Sequence, residues 1–278
     1  MIVMATAEGQ TAGSGVREGE LHGGLPCLTV GSGPPLVVLP GLTAENRNPT
    51  GMERTGQLRQ VQFLTDRFTV HLVNRRPGRG TDTNIHDLAS DVAAAIRTDL
   101  DWPVPVIGIS TGGSIALQMA IDHPGMVQRL VLWAAACRLG PGGLARQRAL
   151  AEHTRAGRPR RAWAAVGPAL AAWPPTRASM AGLLWLTGPM SDPDDPSDLL
   201  VTIAAEDAFD ATDQLHRVTA PTLVVGGARD GFYSPSLFER TAHGILGARL
   251  LLYPRKGHMG TLAHRPAQRE IASFLAGD

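Results

Sequence analysis

Gly108-Ile109-Ser110-Thr111-Gly112 sets one serine between two glycines, each two residues away, at the end of the apolar run 104–110. A serine hydroxyl becomes a nucleophile when a base removes its proton. To reach a substrate it must also stand clear of its own backbone. A sharp strand-to-helix turn achieves this with a strained serine, and side chains two positions before and after would collide there. Glycine at 108 and 112 removes the clash. The helix opening at Thr111 aims free N–H groups and its positive dipole end at the same point. The chemistry predicted is acyl transfer through a covalent serine intermediate.

Such a serine needs a base, and the chain has nine histidines. His258 lies in PRKGHMG, just after the apolar run 248–254 and before the last helical pattern. In a parallel sheet that is the carboxyl edge, the edge that also carries Ser110. His264, within the following helical pattern, is the rival. His243 precedes its strand and falls at the opposite edge, and His71 sits inside a strand as a packed residue. The imidazole in turn needs a carboxylate to fix its tautomer and stabilise its cation. Asp230, in LVVGGARDGF, follows a strand at the same edge. Its other reading is a turn aspartate, and Asp207 and Asp210 are alternatives. The order Ser110, Asp230, His258 is nucleophile, acid, base. An oxyanion would draw on two backbone N–H groups, that of Thr111 and that of Leu42 after LVVLPG.

These residues presuppose a scaffold. Apolar runs at 36–41, 68–74, 104–110, 129–135, 221–227 and 248–254 are β-branched-rich and apolar at nearly every position, as suits strands covered on both faces. Helical patterns lie between them; 87–100 places Leu88, Val92, Ala95 and Ile96 at spacings of three and four. The alternation predicts a doubly wound α/β sheet. Segment 138–218 interrupts it with helix-compatible Ala, Leu and Arg stretches. Its first part carries Arg138, Arg146, Arg148, Arg155, Arg158, Arg160 and Arg161. Its last part carries Asp192, Asp194, Asp195, Asp198, Glu206, Asp207, Asp210 and Asp213. These are either two solvated helical faces or two halves of a lid that attract one another. As a cap it would have an underside, with Trp163, Trp185 and Met190 as candidates for the substrate pocket.

Composition narrows the partners. The 278 residues carry a net charge of +1, which gives no electrostatic reason to expect nucleic acid or an acidic membrane surface. Cys27 and Cys137 form no motif. The N-terminal segment lacks the basic cluster and apolar core of a signal peptide, and no window reaches a membrane-spanning length. A cytoplasmic location is the expectation, with residues 1–19 as a flexible tail.

The LPGL loop, the GISTGG elbow, the GGARD loop and the KGHMG loop together make the chain resemble the α/β-hydrolase family from about Leu21 onward. The resemblance implies an eight-stranded, mostly parallel sheet and a helical cap inserted after the sixth strand. Residues 20–137 and 219–278 would form the core and 138–218 the cap. It also implies hydrolysis through an acyl-enzyme, with no metal or organic cofactor. Family members often have His-Gly in the oxyanion loop where this chain has Pro40-Gly41; a backbone donor at Leu42 survives that change. Serine in place of aspartate argues against haloalkane dehalogenase chemistry. The expected substrate is a small-to-medium, mostly apolar carboxylic ester or lactone, with perhydrolysis, haloperoxidation or acyl transfer as the alternatives on the same fold. A ligand-binding protein that kept the fold is the reading from another class.

Overall fold

The computed structural model describes residues 15–191 and 193–277. In chain order the elements are β1 (Arg17–Leu21), β2 (Leu25–Gly31), β3 (Pro35–Leu39), α1 (Gly51–Val61), β4 (Thr69–Val73), α2 (Ile85–Asp99), β5 (Val104–Ile109), α3 (Thr111–Asp122) and β6 (Val127–Trp133). Four helices follow: α4 (Pro141–Arg155), α5 (Pro159–Leu170), α6 (Pro174–Thr187) and α7 (Ser197–Asp207). The chain ends with β7 (Thr222–Gly227), α8 (Pro235–Gly244), β8 (Arg249–Tyr253), α9 (His258–Leu262) and α10 (Arg265–Ala276).

Eight strands form one sheet in the order β1-β2-β4-β3-β5-β6-β7-β8. The pairs β1–β2 and β2–β4 are antiparallel, and every later pair is parallel. All six residues of β5 and all six of β7 are buried, because helices cover both faces there. Side chains alternate between two cores. Val37, Leu39 and Val106 join α2, α3 and α8 on one face. Leu36, Val38 and Ile107 join Val61, Leu64 and the α10 residues Ile271 and Phe274 on the other. Deleting a buried side chain such as Ile271 would cost about 2–5 kcal/mol.

All six expected strands are present. The margin hairpin β1–β2 differs from expectation. Ordered strand begins at Arg17, inside the segment read as a tail, while residues 1–14 of that tail lie outside the described residues. Four of the five β1 residues are exposed, and β2 is broken by Pro26 and buried only over its first four residues, so neither reads as a run apolar at nearly every position.

The insertion leaves the sheet after β6, as the resemblance implied. Its neck closes where Arg138 pairs with Asp210 in an isolated antiparallel bridge and the Ala211 N–H donates to the Cys137 carbonyl at 2.9 Å. The turn after this bridge packs Leu215 and Val218 against the buried cluster on that face of the sheet. Among the described residues the opposed charges meet at two points, Arg138 with Asp210 at 3.4 Å and Arg148 with Asp207 at 3.3 Å. Asp198 instead accepts from the Gly78 N–H at 2.8 Å, tying α7 to the loop after β4.

Candidate active site

Ser110 occupies the turn between β5 and α3 with φ 50° and ψ −122°, a conformation that costs a non-glycine residue on the order of 1–3 kcal/mol. The two flanking glycines are what make the turn possible. A Cβ at Gly108 would lie 2.5 Å from the Gly112 carbonyl oxygen, and one at Gly112 would lie 2.2 Å from the Leu39 carbonyl oxygen. The second of these contacts belongs to the strand that feeds the LPGL loop. Gly112 therefore lets the serine turn and that loop pack together, and a Cβ at Gly41 would lie 3.4 Å from Ser110 Cβ.

His258 opens α9, with its ring almost fully buried between Phe232 and Tyr233. Its Nδ1 lies 2.7 Å from Asp230 Oδ2. The other Asp230 oxygen accepts the N–H groups of Phe232 at 2.8 Å and Tyr233 at 3.2 Å. A carboxylate held by two backbone donors presents one fixed oxygen to the ring. Nδ1 must carry the proton toward it, leaving Nε2 as the basic atom. Ser110 and His258 line one cavity.

The rivals lie elsewhere. His264 packs edge-on against Tyr253 with ring centres 4.6 Å apart, and His243 sits on α8 with Nδ1 at 2.7 Å from the Glu239 carbonyl. His71 faces Thr29 and Cys27 between β4 and β2. Asp207 and Asp210 pair with arginines of the cap.

The cavity has a volume of about 990 Å³ and a mainly apolar wall that includes Ile109, Leu150, Val166 and Leu184. Leu42 and Thr111 line it together with Ser110. Of the cap residues proposed for the pocket, Trp163 lines it. Trp185 and Met190 do not: Met190, past the end of α6, is exposed, and Trp185 turns outward under the Arg160 guanidinium, 4.6 Å from its ring centre. The cap is pinned over the site from two sides. Gly231, next to Asp230, donates to the Ala169 carbonyl at 3.1 Å, and a Cβ at Gly257 would lie 2.8 Å from the Ala172 nitrogen.

Two functional candidates escaped the sequence reading. Arg75, just past β4, is buried, and its guanidinium reaches Asn46 Oδ1 at 3.1 Å, the Pro40 and Gly41 carbonyls at 3.3 and 2.9 Å, and Thr43 Oγ1 at 2.8 Å. Every partner belongs to the loop carrying Leu42. Burial pulls its pKa down to about 10, against the favourable pull of Glu206, Glu53 and Asp198. Glu206, on α7, is fully buried behind the serine turn. Its Oε2 accepts from Thr111 Oγ1 at 2.7 Å and Gln147 Nε2 at 2.8 Å; its Oε1 accepts from Ser114 Oγ at 3.3 Å and the Tyr233 hydroxyl at 3.4 Å. Burial pushes its carboxyl pKa up while the bonds from Gln147, Thr111 and Ser114 hold it down. The Tyr233 hydroxyl in turn lies beside Ser110, and burial drives its pKa well above the phenol value.

Among the described residues no helix is long and apolar enough to cross a membrane. The sequence profile of the Alpha/beta hydrolase family matches residues 36–272. A pimeloyl-[acyl-carrier protein] methyl ester esterase of Neisseria meningitidis serogroup C is 28% identical over 213 residues, covering 69% of this chain and 77% of that protein. Polyketide synthase ThaQ of Burkholderia thailandensis is 32% identical across 92% of this chain, which corresponds to only 12% of ThaQ. An esterase from Exiguobacterium antarcticum superposes with a TM-score of 0.71 at 22% identity, covering 93% of this chain and 98% of that one. Eight strands in this order, a helical insertion after the sixth, and a profile match across most of the sheet make the chain a member of the Alpha/beta hydrolase family.

Proposed function

We propose that the chain is a serine carboxylic-ester hydrolase acting on small-to-medium, mostly apolar esters or lactones through an acyl-enzyme. The observation that carries this reading is one apolar cavity containing Ser110 and His258, with Asp230 fixed behind the ring. In the first half-reaction Ser110 Oγ attacks the carbonyl carbon while His258 Nε2 takes the hydroxyl proton. The carbonyl oxygen gains negative charge and is held by the Leu42 and Thr111 N–H groups. Collapse expels the alcohol, which receives the proton from His258. Water then repeats the sequence, releasing the acid and restoring Ser110.

The relatives extend the reading. One is named for a methyl ester on a carrier-bound acyl chain and another is a polyketide synthase. Both favour an acyl chain that arrives tethered, and the cavity volume leaves room for one. Acyl transfer and perhydrolysis would differ only in the nucleophile that removes the acyl group from Ser110.

The test is a panel of p-nitrophenyl esters, methyl esters and lactones, with Ser110→Ala as the blank. Turnover should vanish in that variant, and an organophosphate should label the peptide containing Ser110. Turnover that persists in Ser110→Ala, or labelling elsewhere with activity retained, would overturn the assignment.

A further inference from the structure

Helix α6 packs against the protein on one side. A Cβ at Gly167 of α5 would lie 2.7 Å from Ala181 Cα, and Leu184 lines the cavity of Ser110. The opposite side is open, and no residue of α6 is buried. Leu183 and Leu186, with Met190 in the turn that follows, form a stripe at spacings of three and four and are 53%, 64% and 74% exposed. Trp185 is half-exposed beside them. Among the described residues, five of the nine exposed large apolar side chains fall between Trp173 and Met190. Single exposed apolar residues need no explanation, whereas a cluster marks a surface that something covers.

Charge narrows what covers it. Residues 153–191 contain Arg155, Arg158, Arg160, Arg161 and Arg177 but no aspartate or glutamate, so this stretch is basic although the whole chain carries only +1. Arg158 lies 3.9 Å from Glu152, while Arg160 and Arg177 donate to the Trp185 and Ala171 carbonyls. Arg160 and Arg161 are exposed at the start of α5. A shallow hollow of about 520 Å³ lies between Trp185, Pro189 and Arg158 to Arg161, and its wall is almost wholly apolar. The arginines thus lend their stems to the apolar surface and keep their cationic heads at its rim.

We propose that the outer side of α6 and the arginines at the start of α5 dock the protein on an anionic phospholipid surface. Leu183, Leu186 and Met190 enter the boundary between headgroups and acyl chains, and the guanidiniums meet the phosphates. The proposal goes beyond the ester-hydrolase reading and holds whatever reaction Ser110 performs. A helix lying in a bilayer interface buries an apolar side and sets basic residues at headgroup level, where tryptophan is also favoured. The stripe stands out from one convex helix, and lipid deforms around such a shape without a matching groove. A second copy of this chain fits less well, because a two-fold contact through this face would set the arginines of each copy against those of the other. The docking is peripheral: no helix among the described residues is long and apolar enough to cross a membrane.

The experiment is co-sedimentation of the full chain with vesicles of phosphatidylcholine alone and of phosphatidylcholine mixed equally with phosphatidylglycerol. Affinity for the anionic vesicles should exceed that for the neutral ones by about tenfold or more, since each arginine near the surface contributes roughly fivefold. It should weaken as salt rises. Arg160→Gln with Arg161→Gln should lower affinity for the anionic vesicles by about tenfold or more. Leu183→Ser with Leu186→Ser should lower it by about tenfold at low and high salt alike, because apolar insertion is not screened. All four side chains are exposed and outside the catalytic cavity, so the melting temperature and turnover of a soluble p-nitrophenyl ester should stay at the parent values. Should the leucine variant fail to fold, Met190→Ser tests the stripe from the turn past α6. Equal sedimentation with both vesicle types, or undiminished sedimentation of a folded variant, would overturn the proposal. So would no sedimentation at all. In that case, binding of an acyl-carrier protein that is lost in the arginine variant would give the face to a protein partner. A concentration-dependent dimer lost in the leucine variant would give it to a second copy.

Discussion

Replacing Arg75 with methionine separates catalysis from stability. The guanidinium contacts the Pro40 and Gly41 carbonyls, Thr43 and Asn46, all on the loop that carries Leu42, and Arg75 is not among the residues lining the cavity. Methionine fills comparable volume without a donor, leaving two backbone carbonyls unpaired at about 1–3 kcal/mol each. Against this, it removes a buried charge. Burial, which pulls the guanidinium pKa down to about 10, means that the folded chain disfavours the charged form, and that penalty disappears with the side chain. The two effects oppose, so the net loss of stability should be no more than a few kcal/mol and the variant should fold. Activity has no such compensation. With the loop released, the Leu42 N–H no longer holds its position, and loss of one oxyanion donor lowers kcat by about 10²–10³. The assay is kcat and KM on a p-nitrophenyl ester alongside a thermal melt and the affinity of a trifluoromethyl ketone, whose adduct carries an oxyanion. The kcat and the ketone affinity should fall together while KM moves less. Arg75→Lys, with charge but no planar fork, should recover part of the loss. A folded Arg75→Met with kcat within about threefold of the parent, or with unchanged ketone affinity, would refute the role given to this residue.

Asp230→Asn should keep the fold and lower kcat on the order of 10⁴-fold, since the amide can no longer fix the His258 tautomer; near-normal turnover would relocate the acid. Trp163→Ala should shift preference toward longer acyl chains by enlarging the cavity, while Trp185→Ala and Met190→Ala leave the chain-length profile unchanged; a shift in the latter two would contradict their outward placement. Asp207 has its pKa raised from 3.8 to about 6, mainly by desolvation and against the pull of Arg148. The folded chain therefore holds this proton more tightly than the unfolded one, and the associated stability, complete below pH 4, is lost as pH rises toward 6. Asp207→Asn should flatten that part of a melting-temperature profile and raise stability near neutrality by on the order of 1 kcal/mol, allowing for solvent screening; a lower melting temperature at pH 7 would show that the Arg148 pair dominates.

The parts of the site legible in the sequence share one property: each sits where a strand ends. Ser110, Asp230 and His258 follow β5, β7 and β8, so recognising buried strands located them at one edge before any contact was known. Arg75 had the same signal, directly after β4. It went unread because RRPGRG looks like a solvated basic loop, and burial of one arginine among three cannot be seen in composition. Glu206 was counted with the acidic face of the insertion. Its apolar neighbours Val201, Ile203 and Ala205 mark that stretch of α7 as buried, but which way the carboxylate turns depends on Thr111, Ser114 and Gln147, which lie far away in the chain. The pocket residues were least legible. Trp163 and Trp185 have similar surroundings in sequence, and only the packing of α5 and α6 decides which one faces inward.

The stitches between insertion and core bear on how this protein could be re-engineered. Gly231 is bonded to Ala169, Gly257 has room for no side chain beside Ala172, and Glu206 reaches from α7 to the turn holding Ser110. The helical segment is thus no interchangeable module that can be cut out at its neck and exchanged for one from another hydrolase. A chimaera joined at Arg138 and Asp210 would inherit a foreign surface against the loops of Asp230 and His258 and lose the carboxylate behind Ser110. Successful grafts should need matching residues at 169, 172 and 206, and libraries that vary the outward face of α6 should tolerate far more change than those that vary α7.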